Sequence, residues 1–439
     1  MTWRSLSRLL IEPRADDVAV ALRPDGVVPF ARFRADVAAA VAQLEGCRNA
    51  AVLCQDSYAF AVGFFAAFHA GADVVLPPNG LPATLDRLSG SFDRLIDDAF
   101  VGRLNGRAAE LHAIDAERAQ IVFFTSGSTG NPKRVARSLG MLEREVATFD
   151  GMWRETLGDG PVFATVTHQH LYGLSFKVLW SLAAGRAIDT VTREIWENLL
   201  GVMPPRAVLI SSPAHLSRLA GFDPLPSAAQ HAAIFTAGAP LTAAAAADVR
   251  RILGTEPIEI FGSTETGAVA TRRQINGDEP WSLLPGVLLR TDDEQRVSIS
   301  SPYVHDWVAT GDRVESVGDG FRFIGRADRV AKIEGRRISL ADVEAALVAL
   351  PWVETAAVVV LPGERTRVAA AAVLTAEGRA RLDQMGPFRF SRLLRRELSA
   401  VQESAGLPKS WRFVAALPER AMGKRNDSDV AALFAAGAP

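Results

Sequence analysis

At 439 residues, with 48% hydrophobic and 22% charged content, the chain can build a large globular domain plus a smaller one and is not a disordered protein. The net charge of −2 gives no general basic surface and excludes a non-specific nucleic-acid role on composition. Two cysteines, Cys47 and Cys54, make no disulfide or metal framework, and Met1 to Pro13 has no apolar leader core, so a reducing, cytoplasmic setting is expected.

In chain order, Ala50 to Cys54 reads as a strand, Ser57 to Ala70 as a helix and Ala72 to Leu76 as a strand, ended by Pro77-Pro78. The apolar stretch Ala59 to Phe68 is too short for a membrane span and predicts a buried helix. Ile121 to Phe124 is an apolar strand, followed by predicted strands at Pro161 to Thr167, Ala207 to Ser211 and Ala232 to Thr236, with a helix at Ser175 to Ala183. Strands alternating with helices imply a parallel α/β sheet. From residue 282 to 324 the texture changes to short β-like runs. Beyond Gly325 a charged stretch leads into an α+β pattern, with helices at Leu340 to Val348 and Arg389 to Leu398 and strands at Thr355 to Leu361 and Arg367 to Leu374. The expected class is α/β: a large N-terminal domain, 1–326, with a small β-rich subdomain, then a small α+β domain, 327–439.

Only five of the 48 basic residues are lysines: Lys133, Lys177, Lys332, Lys409 and Lys424. In so arginine-rich a chain a retained lysine points to a compact, mobile ammonium that a planar guanidinium cannot replace. Directly after the strand Ile121 to Phe124 comes Thr125-Ser126-Gly127-Ser128-Thr129-Gly130-Asn131-Pro132-Lys133. Small residues let backbone N–H groups approach phosphate oxygens, hydroxyls add donors, and Lys133 adds charge. The spacing departs from the Walker pattern, which disfavours a P-loop NTPase. The plainer reading is a flexible serine/glycine turn.

This string resembles the phosphate loop of the adenylate-forming superfamily: acyl-CoA synthetases, peptide-synthetase adenylation domains and luciferases. Further resemblances follow in that family's order. Thr236 to Leu241 is similar to its adenine-contacting turn, through Gly238, Ala239 and Pro240. Phe261-Gly262-Ser263-Thr264-Glu265 resembles its aromatic-Gly-x-Thr-Glu motif, and Thr310-Gly311-Asp312 its ribose motif. Gly325-Arg326-Ala327-Asp328 with Lys332, Gly335, Arg337 and Ile338 resembles its hinge segment, and Leu417-Pro418 with Gly423-Lys424 its C-terminal lysine motif.

The resemblance implies ATP and Mg²⁺ as cofactors and assigns roles. Glu265 would bind Mg²⁺, since that cation takes hard oxygen ligands, and Thr264 would donate to the α-phosphate. Phe261 would stack on adenine, and Asp312 would accept from the ribose hydroxyls with Arg326 in support. Glu259 shares a strand face with Phe261 and is expected either to accept from the adenine amine or to face solvent. Asp328 would be the pivot between domains. Lys424 would stabilise charge at the α-phosphorus, and Lys332 would replace it for thioester formation after the small domain rotates. Where the family often has a basic residue three positions after this lysine, Asp427 stands here.

His168 and His170 have the i, i+2 spacing of metal ligands, but no third ligand is near in sequence. The resemblance instead puts His170 between acid and nucleotide, with Tyr172, Gly173 and Ala268 in an apolar acid pocket. An aryl or medium-size acyl acid fits such a pocket, as for short stand-alone acid–AMP ligases. The acceptor would be the thiol of CoA, or the phosphopantetheine arm of an acyl carrier protein acting in trans. Arg389, Arg392, Arg395, Arg396, Lys409 and Arg412 form a basic cluster that could meet either partner or simply be a solvated face. A catalytically inactive ATP-binding protein of the same fold and a luciferase-like oxygenase are the alternatives.

Overall fold

A computed structural model describes residues 3–105, 108–126, 132–226, 230–275, 277, 279–326, 329–333, 336–361, 367–402, 404–418 and 427–435. The chain divides into two compact units, one of residues 1–288 and 299–308, the other of 289–298 and 309–439.

The first unit holds two sheets. In one, the strands Arg94–Ile96, Asn49–Val52, Asp73–Leu76 and Gln120–Ser126 lie parallel in that order, and Pro132–Ser138 adds antiparallel at the edge. The other runs Trp281–Leu283, Gly267–Arg272, Pro257–Ser263, Ala233–Ala237, Val208–Ser211, Val162–Ala164, Ile188–Thr192, Ala19–Arg23, Gly26–Pro29. Its central strands are parallel and read as unbroken apolar runs because both faces are covered.

The apolar stretch seen in the sequence is the helix Ser57–His69, buried along its length except at its last residue and packed on both sheets. Asp56 caps it, accepting from the Ala59 N–H at 2.8 Å. No helix of the described residues is long and apolar enough to cross a membrane.

The predicted helix at Ser175 to Ala183 belongs to a longer helical segment, Leu171 to Ala184, in which Leu174–Leu179 is wound as a π-helix. The wider winding presents Phe176 and Trp180 to Phe149 and Phe235, at centroid distances of 4.3 to 5.7 Å.

In the second unit the strands Leu288–Thr291, Arg296–Ser300, Val308–Val317 and Gly320–Arg326 lie side by side in that order. The hairpin Val330–Ile333/Arg336–Ser339 leads into the helix Leu340–Val348, capped by Ser339. A three-stranded sheet follows, of Val353–Leu361, Arg367–Leu374 and Ser410–Phe413. The helix Ala376–Leu398 extends well before the predicted start at Arg389, and breaks at Gly386, which adopts φ 77° ahead of Pro387. Glycine takes that conformation without strain, and proline restarts a helix but cannot continue one. Phe390, Leu394 and Leu398 close the core with Val343, Leu347 and Val358.

Candidate active site

The two ends of the string that resembles a phosphate loop lie on paired antiparallel strands. Gln120–Ser126 and Pro132–Ser138 pair in register, with Thr125 opposite Lys133 and Ser126 opposite Pro132. Gly127, Ser128, Thr129, Gly130 and Asn131 lie outside the described residues, as do the side chains of Thr125 and Ser126. The hairpin fixes the two ends of the loop and the place of Lys133.

Lys133 Nζ donates to Glu265 Oε1 at 3.2 Å, joining the loop's return strand to the turn after Pro257–Ser263, 132 residues away. Burial pushes the Glu265 carboxyl up, but hydrogen bonds from its own backbone N–H, from Lys133 and from Ser263 outweigh it and hold the group below the ordinary carboxylate value. An ionised, half-exposed carboxylate is a hard oxygen donor of the kind magnesium takes. Among the described residues no set of three or more His, Cys, Asp and Glu could hold a metal by itself, so a cation here would complete its shell with phosphate oxygens and water.

The turn has little freedom. Ser263 N–H donates to Thr266 Oγ1 at 3.0 Å, and Thr266 Oγ1 donates to Gly267 O at 2.9 Å. A Cβ on Gly262 would stand 2.1 Å from Gly267 O, so glycine is required for the two strands to close. Gly238 has φ 97° in the turn that carries Ala239 and Pro240.

Glu259 departs from both expected roles. It is neither a solvent-facing residue nor an available acceptor for adenine: it is 2% exposed, and four donors converge on it. Arg272 donates from Nε to Oε1 at 2.9 Å and from Nη2 to Oε2 at 3.0 Å. Gln274 Nε2 donates to Oε1 at 2.7 Å, and Leu241 N–H to Oε2 at 3.2 Å. These occupy the acceptor positions of the carboxylate. Glu259 therefore anchors the Gly238–Leu241 turn to the strand behind Phe261. Arg272 also lies 4.4 Å over the Trp281 ring, which packs on Phe261 at 5.5 Å. Arg272, Gln274 and Trp281 were not expected from sequence.

In the segment expected to line an acid pocket, His168 is buried. Its Nδ1 hydrogen-bonds with Ser57 Oγ at 3.0 Å and its Nε2 with the Cys54 carbonyl at 2.9 Å, so both ring nitrogens are taken and neither can hold zinc. Burial, then the charge of Lys177, push its pKa down to about 3. Lys177 is itself buried, donating to the Val191 carbonyl at 3.4 Å, and burial lowers it to about 8 against the pull of Asp189 and Asp56. This lysine, outside every motif, is buried within the helical segment.

His170 precedes the helical segment and is half-buried; its carbonyl accepts from Leu174 N–H at 2.8 Å. Tyr172 packs on Phe176 at a centroid distance of 5.0 Å with the rings tilted by 49°, and its hydroxyl is buried near the Ser211 backbone. A Cβ on Gly173 would stand 2.0 Å from Thr167 O, so only glycine lets this helix start pack on the loop before it. Ala268 is buried and donates its N–H to Glu145 Oε1 at 2.7 Å.

In the second unit Asp312 and Arg326 are cross-strand neighbours, with Arg326 Nη1 donating to Asp312 Oδ1 at 3.2 Å. Lys332 lies on the strand Val330–Ile333, opposite Arg337; its side chain, with Asp328, Gly335 and Lys424, falls outside what the structure describes.

The AMP-binding enzyme family matches residues 85–298. The chain is 30% identical over 339 residues to the 4-coumarate–CoA ligase of Rhodobacter capsulatus, covering 73% of this chain and 78% of that protein. It is likewise 30% identical over 364 residues to the isonitrile lipopeptide synthase of Streptomyces coeruleorubidus, covering 71% of this chain and 23% of that one. ATP-bound MatB from Rhodopseudomonas palustris superposes with TM-score 0.77 at 18% identity, over 98% of both chains. Amide bond synthetase McbA from Marinactinospora thermotolerans gives TM-score 0.77 at 20% identity, over 98% of this chain and 99% of that one. At these identities the likeness establishes a shared α/β fold.

Proposed function

The chain belongs to the AMP-binding, adenylate-forming enzymes, and from that premise we propose that it is an AMP-forming carboxylic acid–thiol ligase. The observation that carries the reading is the Lys133–Glu265 pair at 3.2 Å, which brings the cation of a phosphate loop and an ionised carboxylate to one place.

In the first half-reaction an acid carboxylate oxygen bonds to the α-phosphorus of ATP as the bond to the bridging oxygen breaks, releasing pyrophosphate. In the second, a thiol sulfur bonds to the acyl carbon, losing its proton as AMP leaves. The acid is an aryl or acyl acid. The thiol is that of CoA, or the phosphopantetheine arm of a separate carrier protein.

Residues Thr125 to Gly130 and Lys133 bind the phosphates, and Thr264 donates to the α-phosphate. Phe261 and the Gly238–Pro240 turn take adenine, with Gly262 and Ser263 beside them; Asp312 and Arg326 take the ribose. His170, Tyr172, Gly173 and Ala268 line the acid site. Glu265 would hold magnesium, which when bound offsets phosphate charge. Residues 1–326 form the binding domain. Residues 327–439 carry Lys424 for adenylation and Lys332 for thioester formation, exchanged by rotation about Asp328.

Pyrophosphate release is the test, with ATP, Mg²⁺ and benzoates, cinnamates, fatty acids and amino acids, each without thiol, with CoA and with a phosphopantetheinylated carrier. Acid-dependent release accelerated by one thiol supports the reading and names substrate and acceptor. Intact ATP binding with silence across the panel returns the inactive binder.

A further inference from the structure

Arg137 stands four residues after Lys133 on the return strand, so the two side chains share a face and reach the same turn. Lys133, at the exposed end, meets the Glu265 carboxylate; Arg137, 2% exposed, meets the backbone beneath it. Arg137 Nη1 donates to Thr264 O at 3.2 Å and Nη2 to Tyr303 O at 2.9 Å. Tyr303 hydroxyl donates to Ala268 O at 2.5 Å. On the other side Glu145, also 2% exposed, accepts from Ala268 N–H at 2.7 Å and from Ser175 hydroxyl at 3.0 Å. The turn Thr264–Gly267 is thus held at both ends, by a guanidinium before it and a carboxylate after it. Gly267, at φ 70°, leaves the room: a Cβ there would stand 2.6 Å from Glu145 Oε1 and 3.2 Å from Arg137 Nη2.

Nothing about packing demands a charge here. Arg137 Nε is buried without a hydrogen-bond partner, a cost an apolar side chain would not carry. What the guanidinium supplies is a planar fork that bonds two carbonyls at once and fixes the direction of the Thr264 peptide, and hence of the residue after it. We propose that Arg137 and Glu145 are positioning residues that set the Thr264–Glu265 turn for magnesium–ATP, coupling the phosphate-loop strand to the magnesium carboxylate. The inference rests on the reading of Glu265 as that carboxylate, and extends it to two residues that do not touch the nucleotide.

The test compares wild type with Arg137→Lys and with the double variant Arg137→Met/Glu145→Gln. Lysine keeps the charge and loses the fork. The double variant removes both buried charges, while the amide can still accept from Ala268 N–H and donate to Ser175 hydroxyl, which favours a folded product. ATP affinity is measured by calorimetry with excess Mg²⁺ and with EDTA, alongside thermal unfolding. The magnesium-dependent gain in ATP affinity should fall about tenfold or more in both variants, as for outer-shell partners of a metal ligand. ATP affinity in EDTA should fall by much less than that, since without the metal only the Thr264 contact depends on this turn.

A folded variant with the wild-type magnesium gain overturns the proposal, as does equal loss with and without magnesium. A wild-type protein with no magnesium gain overturns it too. Binding needs neither acid nor thiol, so a silent pyrophosphate panel would remove the ligase reading and leave this one standing.

Discussion

Replacing Glu259 by glutamine separates an anchor from an adenine reader. The carboxylate receives Arg272 through two bonds of 2.9 and 3.0 Å, Gln274 at 2.7 Å and Leu241 N–H at 3.2 Å, at 2% exposure. A glutamine amide offers one oxygen and one NH₂ in the same space, so two of the four donors would face another donor. Arg272 would also lose its counter-charge. Breaking one side of a buried ion pair costs about 3–5 kcal/mol. At roughly 2 °C per kcal/mol for a unit of this size, the melting temperature of the first unit should fall by about 6–10 °C. Unfolding followed by Trp fluorescence, with ATP and ITP affinities measured well below the transition, reads both effects. The preference for ATP over ITP should be unchanged, with ATP affinity within about tenfold of wild type, one step of 1.4 kcal/mol. An unchanged melting temperature together with lost discrimination against ITP would refute the anchoring argument and restore Glu259 as the residue that reads the adenine amine.

Three further outcomes are expected. His69, His168 and His231 are held down to about 4, 3 and 4, chiefly by burial, so each binds a proton more readily unfolded than folded. Their contribution is intact above the ordinary histidine value of about 6.5 and is lost as pH falls toward 4, at up to about 4 kcal/mol per pH unit for three protons. Melting temperatures should therefore drop steeply between pH 6.5 and 4.5, less steeply in His168→Gln, and a flat profile would contradict the assignment. Lys133→Ala removes an exposed pair worth about 0–1 kcal/mol, so unfolding should not move, while kcat/KM for ATP should fall about 10²-fold; a stability loss without a kinetic one would reverse the reading. Lys424→Ala should lower adenylation about 10²–10³-fold yet leave thioester formation from supplied acyl-adenylate intact, and equal loss of both half-reactions would count against the exchange of lysines.

The candidate site is legible where its proposed chemistry is written in one short string. Thr125 to Lys133 and Phe261 to Glu265 are contiguous in the sequence, and the strand Gln120–Ser126 appears where the apolar run Ile121 to Phe124 put it. What joins those strings was not legible. Arg272 reaches Glu259 only because the two stand opposite in the strand pair, with a register shift between Phe261 and Gly262 that no local pattern announces. Reading Glu259 by alternation alone left solvent or ligand as its partner, whereas a strand buried on both faces satisfies a carboxylate from its neighbours. Nothing in the local sequence marks Arg137 or Glu145. Their burial comes from the Tyr303 segment and the Gly267 turn, more than 100 residues later. The π-winding of Leu174–Leu179 and the break at Gly386 likewise blurred helices whose existence the apolar periodicity had indicated.

The most direct measurement of the ligase reading is to incubate protein, ATP, Mg²⁺ and the best acid of the panel without thiol, quench, and look for acyl-AMP by mass spectrometry before and after adding CoA or a phosphopantetheinylated carrier. The account predicts an acyl-AMP held by the protein in about stoichiometric amount, consumed as thioester and free AMP appear after thiol is added. Thioester formed with ADP and phosphate as the products, and no acyl-AMP at any time, would contradict it.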